Sequence, residues 1–391
     1  MAGKRGINNH NLKEGNRGLL LKLIATGICS SRAELARHSG LSKMAVSNII
    51  TEFIGQDIIA EKEPEQVSGQ GRNPITLCIS QRAPKIIGVA LHRDECVVVL
   101  ADLNLNILKR LSMPVNEEVS AHLLAAVCTL IDQAIPAEER ILGIGVGSVG
   151  PVDIKRGMIL NPPNFYGIRN LAVTAYLYER YQLPVYLDSQ YNCAALAEKY
   201  YGFGRDYHDF IFVGIMNGIG SGIISDERIF RNSNGLTSEI GHVSINCGGN
   251  KCSCGNTGCL ETYAGTRVVT EKLRQITGDD KSFREFCVTA EGTEEGKVDA
   301  VFREMAEHLA CALISTVNLL NAQTVIIGHE GYFIPNKYLV YLEEIINRQK
   351  LSGDYRHVKV IKSFFQEEAH LRGCVCGILN RVFEGKGFMK E

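Results

Sequence analysis

The apolar positions of this chain change their period as it runs. Between residues 19 and 53 they recur every three or four residues, as on helices buried along one face. Leu19, Leu20, Leu23 and Ile24 form one such stripe, and Gly27 stops it. Ser31-Arg32-Ala33-Glu34 has the spacing of a capping box and opens a second helix, with Leu35 and Ala36 facing inward. Gly40 permits a tight turn. Ser42 then caps a third helix, predicted over Ser42–Phe53, on which Val46, Ile49, Ile50 and Phe53 fall at i, i+3, i+4 and i+7. Two β segments follow, around Ile58–Glu61 and Ile75–Ile79, joined through Gly69-Gln70-Gly71-Arg72. Three helices and a hairpin predict a winged helix-turn-helix over residues 1–80.

From Lys85 the pattern becomes β-rich. IIGVALH, CVVVLADL and ILKRLSMPV are three apolar runs at short spacing, as in an antiparallel meander. A helix over 120–134, a strand over 141–146, a helix over 171–181, a strand over 185–187 and a helix over 192–200 follow. Around Asp209 the pattern starts again with FIFVGIM and GSGIISD, a loose internal duplication without sequence identity. This predicts an α/β body of two lobes, residues 81–200 and 201–391, with a terminal helix over 366–384 packing back on the first. A cleft between two such lobes is a natural small-molecule site.

Composition narrows the class. The chain has 391 residues, 45% hydrophobic and 22% charged, which excludes disordered, collagen-like and disulfide-framework proteins. No apolar run reaches the ~18–20 residues of a membrane span. The polar start, MAGKRGINNHNLKEGNRG, lacks the apolar stretch of a secretory signal. The expectation is a cytoplasmic protein with no membrane partner and reduced cysteines, so that clustered ones point to metal.

Charge is unevenly placed. Residues 1–50 hold Lys4, Arg5, Lys13, Arg17, Lys22, Arg32, Arg37 and Lys43 against Glu14 and Glu34, a net +6 in a chain of net −1. A basic head on an acidic body is an electrostatic footprint for a polyanion such as DNA. On the third helix the face opposite the apolar stripe shows Lys43, Met44, Ser47, Asn48 and Thr51, with Ser42 and Ala45 at its start. These short or hydrogen-bonding side chains suit a major groove. Arg32 and Arg72 join them as candidate DNA contacts, Arg72 reaching a phosphate or the minor groove from the hairpin turn.

The densest local chemistry is His242, Cys252, Cys254 and Cys259, an H-x9-C-x-C-x4-C pattern. A Cys3His set supplies four ligands for tetrahedral Zn2+, with Zn–S near ~2.3 Å and Zn–N near ~2.0 Å. Gly248, Gly249, Gly255 and Gly258 let the loop fold tightly. Four filled positions leave no place for a metal-bound water, so the metal is expected to be structural, bracing the loop that carries Glu239 and Glu261. Cys247 is a spare thiol that the spacing leaves open as a ligand. Cys128, Cys311, Cys374 and Cys376 lie in apolar helical stretches and are expected in the core.

Gly241-His242 followed by CSCGNTGCLE resembles the signature of the ROK family of repressors and sugar kinases. LSKMAVSNII and GQGRNP resemble the DNA-binding head of its repressors, and GVGSVGPVD, NPPNFYG, NCAALAE and NGIGSG resemble its body. The resemblance covers nearly the whole chain. It implies an actin-like, hexokinase-like body of ribonuclease H-like ATPase fold, in which Glu239, His242 and Glu261 match sugar-binding positions. His242 would serve twice, one ring nitrogen on metal and the other toward sugar or a carboxylate.

Family kinases carry an Asn-Asp pair before an Ala-Asn run, the Asn holding sugar and the Asp acting as base. Here the matching pair is Ser189-Gln190, before Tyr191-Asn192. A glutamine amide cannot serve as base near pH 7. Asp188 lies two positions earlier and is expected to point elsewhere. Family kinases also have an Asp-x-Gly-Gly-Thr-like phosphate turn after the first strand. The corresponding Ala90-Leu91-His92-Arg93-Asp94 has no glycine, although the second loop, Asn217–Gly222, keeps its own. No ATP is therefore expected as cofactor. Asn161 and Asn164 sit in a Pro-rich loop, with Asn164 a candidate sugar contact.

The resemblance thus implies a sugar-responsive repressor of carbohydrate-utilisation genes, xylose among the candidate effectors, acting as a homodimer or tetramer on operator DNA. A phosphotransferase-system protein is an alternative effector, as for some family repressors. The rival from another class is an ATP-dependent sugar kinase with a vestigial head, against which Gln190 and the missing first loop argue.

Overall fold

A computed structural model describes residues 9–62, 75–292, 295–351, 353 and 355–386. The caps written into the sequence set the head. It comprises α1 (Asn9–Ala25), α2 (Arg32–Ser39) and α3 (Lys43–Gly55). The Ser31 hydroxyl accepts from the Glu34 N–H, and the Glu34 carboxylate accepts from the Ser31 N–H at 3.1 Å, completing the capping box. Ser42 accepts from the Ala45 N–H at 3.2 Å and starts α3. Val46, Ile49, Ile50 and Phe53 are all buried. Strand β1 (Ile59–Lys62) pairs antiparallel with β2 (Thr76–Ile79), so the head carries a hairpin. Arg72 and its turn lie outside the described residues.

The first lobe opens with β3 (Lys85–Leu91), β4 (Glu95–Ala101) and β5 (Ile107–Pro114), an antiparallel meander. The single helix predicted over 120–134 is instead two, α4 (Glu117–Ser120) and α5 (Leu123–Ala134). The Asn116 side chain accepts from the Val119 N–H at 2.9 Å, which starts a turn early and leaves a break at Ala121-His122. Then come β6 (Ile141–Ser148), the short pair β7 (Val152–Asp153) and β8 (Met158–Ile159), α6 (Val173–Tyr181), β9 (Val185–Ser189) and α7 (Gln190–Tyr201). The sheet order is β5-β4-β3-β6-β9, with β3, β6 and β9 parallel. Such strands are covered on both faces, which is why IIGVALH and ILGIGVGS read as unbroken apolar runs.

The second lobe repeats this plan. It holds β10 (Phe210–Ile215), β11 (Ile219–Ser225), β12 (Arg228–Ile229), α8 (Glu261–Ala264), α9 (Thr266–Thr277), α10 (Phe283–Glu291) and α11 (Lys297–Leu320). Strand β13 (Thr324–His329), α12 (Asn336–Gln349), β14 (Lys359–Lys362) and α13 (Ala369–Phe383) complete it. The order β12-β11-β10-β13-β14 again joins two antiparallel pairings to two parallel ones. The duplication therefore lives in topology, where side-chain identity is not needed.

Helix α13 crosses back to the first lobe and lies between α7 and β6. A Cβ on Gly373 would collide with the Cys193 carbonyl of α7, so only glycine lets the backbones come this close. At its far end α13 meets α1. Leu20, Leu21 and Phe53 of the head share one continuous buried cluster with Tyr186, Leu371 and Val382 of the body. Cys128, Cys374 and Cys376 are buried, but Cys311 is exposed, because its position on α11 faces solvent. No helix among the described residues is long and apolar enough to cross a membrane.

The seam between head and body gives a direct test. A Cβ on Gly18 would stand 2.5 Å from the Phe383 carbonyl oxygen and 2.6 Å from that of Val382, whereas one on Gly15 meets nothing within 4 Å. Gly18→Ala should cost about 1–3 kcal/mol in urea unfolding, the usual range for an overpacked contact. Gly15→Ala, as control, should be neutral or stabilising.

Candidate functional site

Between the lobes lies a cavity of about 490 Å³, walled by the loop 161–169 on one side and by Glu239, His242 and Cys254 on the other. The loop is anchored by buried Phe165 and by the Tyr166 hydroxyl, which donates to the Val115 carbonyl at 2.9 Å. Asn164 and Tyr166 have φ of 56° and 50°, left-handed conformations that non-glycine residues seldom adopt. Glu239 accepts from the Thr237 hydroxyl at 3.0 Å, and burial raises its carboxyl pKa above the ordinary 4.5. Carboxylates and amides of this kind accept from and donate to sugar hydroxyls.

The expected sugar contacts divide here. Asn164, Glu239 and His242 line the cavity, while Ser189, Gln190 and Glu261 are not part of its wall. Ser189 is buried, its hydroxyl capping α7 by accepting from the Asn192 N–H at 3.1 Å. Gln190 is buried beside His92. Asp188 is fully engaged: it accepts from Tyr186 at 2.5 Å, Arg231 at 2.6 Å and the Asn192 amide at 2.7 Å. It has no oxygen free to take a substrate proton, as its offset in the sequence predicts.

The two loop positions have changed meaning. A Cβ on Gly220 would collide with the Tyr191 ring and one on Gly222 with the Tyr191 carbonyl, so these two glycines of the second loop serve packing between α7 and the β10–β11 hairpin. In the glycine-free first loop, Arg93 reaches across the cleft. Its Nε donates to the Pro163 carbonyl at 3.2 Å, and its guanidinium lies near Gly218 and Glu261 of the other lobe. Sequence reasoning noted this stretch only for what it lacks. Behind it, His92, His329 and His370 form a buried cluster with ring centroids 4.7 and 4.6 Å apart. They come from β3's end, β13 and α13, and no local spacing announces them.

His242, Cys252, Cys254 and Cys259 are brought together, with one ligand atom from each lying within 4.8 Å of the others. Cys254 Sγ is 3.7 Å from Cys259 Sγ, and His242 Nδ1 is 3.6 Å from Cys252 Sγ. A tetrahedron with metal–sulfur bonds of ~2.3 Å has edges of about 3.8 Å, so the donor set fits a tetrahedral metal. Cys247 is exposed and outside this group. Glu261 touches the same cluster, accepting from Cys252 Sγ at 3.3 Å with His242 Nδ1 at 3.6 Å.

On the head, Ser42, Lys43, Met44, Asn48 and Thr51 are exposed along one face of α3, Met44 at 75%, while Ala45 and Ser47 are half-buried. Arg32 is ion-paired with Glu61 of β1, which ties α2 to the hairpin.

A family model described as the ROK family matches residues 86–378. The chain is 28% identical to the "Xylose repressor" of Caldicellulosiruptor bescii over 395 residues, covering 96% of this chain and 98% of that one. Among solved structures it is similar to a ROK family transcriptional regulator described as a homologue of the E. coli MLC protein, with a TM-score of 0.80 and 25% identity over 96% of this chain and 98% of the other. A ROK family glucokinase from Streptomyces griseus, solved with glucose and AMPPNP, shares the fold at TM-score 0.66 and 24% identity. It covers 98% of its own length but 74% of this chain.

The histidine cluster sets a pH dependence. Burial lowers the pKa of His92, His329 and His370 from 6.5, His329 to about 3 with help from the neighbouring His92 charge. Below pH 6.5 the unfolded chain binds protons that the folded one refuses, so stability falls with pH. Buried Glu239 and Glu198, raised above 4.5, oppose this as they protonate. Each histidine contributes up to about 1.4 kcal/mol per pH unit. Unfolding free energy should fall between pH 6.5 and 5, and His329→Phe should remove roughly a third of the histidine slope.

Proposed function

The chain belongs to the ROK family, and from that premise we propose that it is a sugar-responsive transcriptional repressor and not a sugar kinase. One observation carries the reading: a head with an exposed recognition face on α3 is fused to a body whose catalytic base position holds Gln190. An amide takes no proton from a sugar hydroxyl near neutral pH. Asp188, two positions earlier, is consumed by Arg231, Tyr186 and Asn192.

In this reading Asn164, Glu239, His242 and Glu261 hold a sugar between the lobes, with Ser189 and Gln190 at the first-lobe end. Binding shifts lobe closure. The change reaches the head through α7 and α13, because α1 rests directly on the C-terminal turn of α13. DNA contact falls to Ser42, Lys43, Met44, Ala45, Ser47, Asn48 and Thr51, with Arg72 on the wing. Operators for such heads are paired half-sites, so the working unit is at least a homodimer. A coupling of ~1–3 kcal/mol gives a ~5–150-fold loss of operator affinity.

Zinc is the metal that three thiolates and an imidazole favour, and its role is structural: it fixes His242 and the loop that leads to Glu261.

Purified protein should bind a fragment of its own promoter in a fluorescence-polarisation titration and release it with one carbohydrate of a panel. ADP formation across the same panel should stay at background, and steady turnover would overturn the reading. Metal analysis should find about one zinc per chain. Cys259→Ser should lose that zinc and lower the melting temperature, and retention of full metal by this variant would remove Cys259 from the ligand set.

A further inference from the structure

We propose that His92, His329 and His370 form a latch that holds the two lobes together only while all three rings are uncharged. Such a latch belongs to the frame of the cleft and acts whichever ligand the cleft takes.

The rings come from both sides of the cleft. His92 follows β3 of the first-lobe sheet, His329 ends β13 of the second-lobe sheet, and His370 stands in the first turn of α13, which crosses between them. The His370 ring meets His92 edge-on at 4.7 Å and stacks on His329 at 4.6 Å, so one continuous ring contact spans the lobes. Tyr191 of α7 and Phe212 of β10 hold His329 in place, with centroids 5.4 and 5.7 Å away. None of the three histidines is more than 8% exposed.

The cluster is short of hydrogen-bond partners. His92 Nδ1, His370 Nδ1, both ring nitrogens of His329 and Gln190 Oε1 are buried and have no protein partner among the described residues. Whichever nitrogen of His329 carries the proton, that N–H finds no protein acceptor. A neutral ring can bear this at modest cost. A protonated ring has two donors and a full charge, and burying it unpaired costs far more.

The surrounding groups do not rescue a charged ring. Burial disfavours a charged His92 more than Asp94 and Glu95 beside it favour one, and Arg110 of β5 adds to the penalty. For His370 burial again leads, His329, His92 and Arg110 add to it, and the ring meets the Glu367 backbone in place of a carboxylate. Glu368 is engaged by Arg110 at 2.6 Å and Arg372 at 3.6 Å. Glu330, next to His329, accepts from the Thr266 hydroxyl at 2.5 Å. Arg93, next to His92, is turned to the Pro163 carbonyl at 3.2 Å. Helix α7 offers only the Gln190 amide and the Tyr191 phenol.

Parting the lobes breaks the stack and gives the rings to water, where each returns to a pKa near ~6.5. A ring that is neutral in the closed form and titrates normally in the open one raises the open-to-closed ratio about tenfold between pH 7.5 and 5.5. Closure is therefore favoured above pH ~6.5 and loses ground as pH falls, by up to about a thousandfold if all three rings are released.

The interlobe distance tests this directly. Resonance energy transfer is measured in the full-length protein between noncanonical labels at Tyr176 of α6 and Gln275 of α9, exposed positions on the first and second lobes. Unlabelled protein is added in excess so that transfer stays within one chain, and far-UV circular dichroism confirms that the chain remains folded. The distance should change between pH 7.5 and 5.5 in a transition that takes up more than one proton. His329→Phe and His92→Phe, which keep a ring but cannot be charged, should each move the midpoint to lower pH and reduce the uptake by about one proton. If a variant does not fold, the proton count of the unaltered protein still decides. A constant distance, a one-proton transition, or a response unchanged in both variants overturns the latch. No sugar or DNA enters this measurement, so its failure leaves the proposed repressor standing, and failure of operator release leaves the latch standing.

Discussion

The close backbone contact of α13 with α7 is the constraint on which the rest of this molecule depends. Gly373 allows two helices to approach until their backbones touch, and that distance is set by van der Waals contact. One end of α13 carries the buried His370, stacked on His329, and the other supports α1 of the head. Packed interiors resist continuous deformation, so a change in lobe closure must be passed along such a seam rather than absorbed. The continuous core shared by head and first lobe makes the DNA-binding unit part of the body, not a module on a tether.

In the proposed reading the cleft senses a sugar that related kinases would phosphorylate. Gln190 stands where the resemblance to family kinases puts the base, and Tyr186, Arg231 and Asn192 saturate the oxygens of Asp188. Gly220 and Gly222 of the second loop have a packing reason to be glycine, since Tyr191 lies where their side chains would be. Histidines fill the space behind the first loop. Burial keeps them neutral, so they add rings and hydrogen-bonding groups without adding charge.

The metal loop ties these parts together. Its donor atoms are spaced for a tetrahedral ion, and the same His242 that closes that set also lines the cavity. A metal held there would fix the orientation of His242 and with it one wall of the cavity.

Much of this was legible in the chain itself. Local rules wrote the caps at Ser31 and Ser42, the buried stripe of α3, the alternation of strands and helices, and the Cys3His spacing, because each depends only on residues close in sequence. The helix break at Ala121-His122 and the exposure of Cys311 escaped, since a competing cap and the outward face of a long helix depend on neighbours that composition does not reveal. What only the tertiary structure decided was distance between remote positions. Arg93 against Pro163, the three histidines from separate elements, and Gly18 against Phe383 are contacts between positions far apart in the chain. A sequence fixes which groups are available, but the cleft's electrostatics follow from which of them the packed backbone brings within a few ångströms.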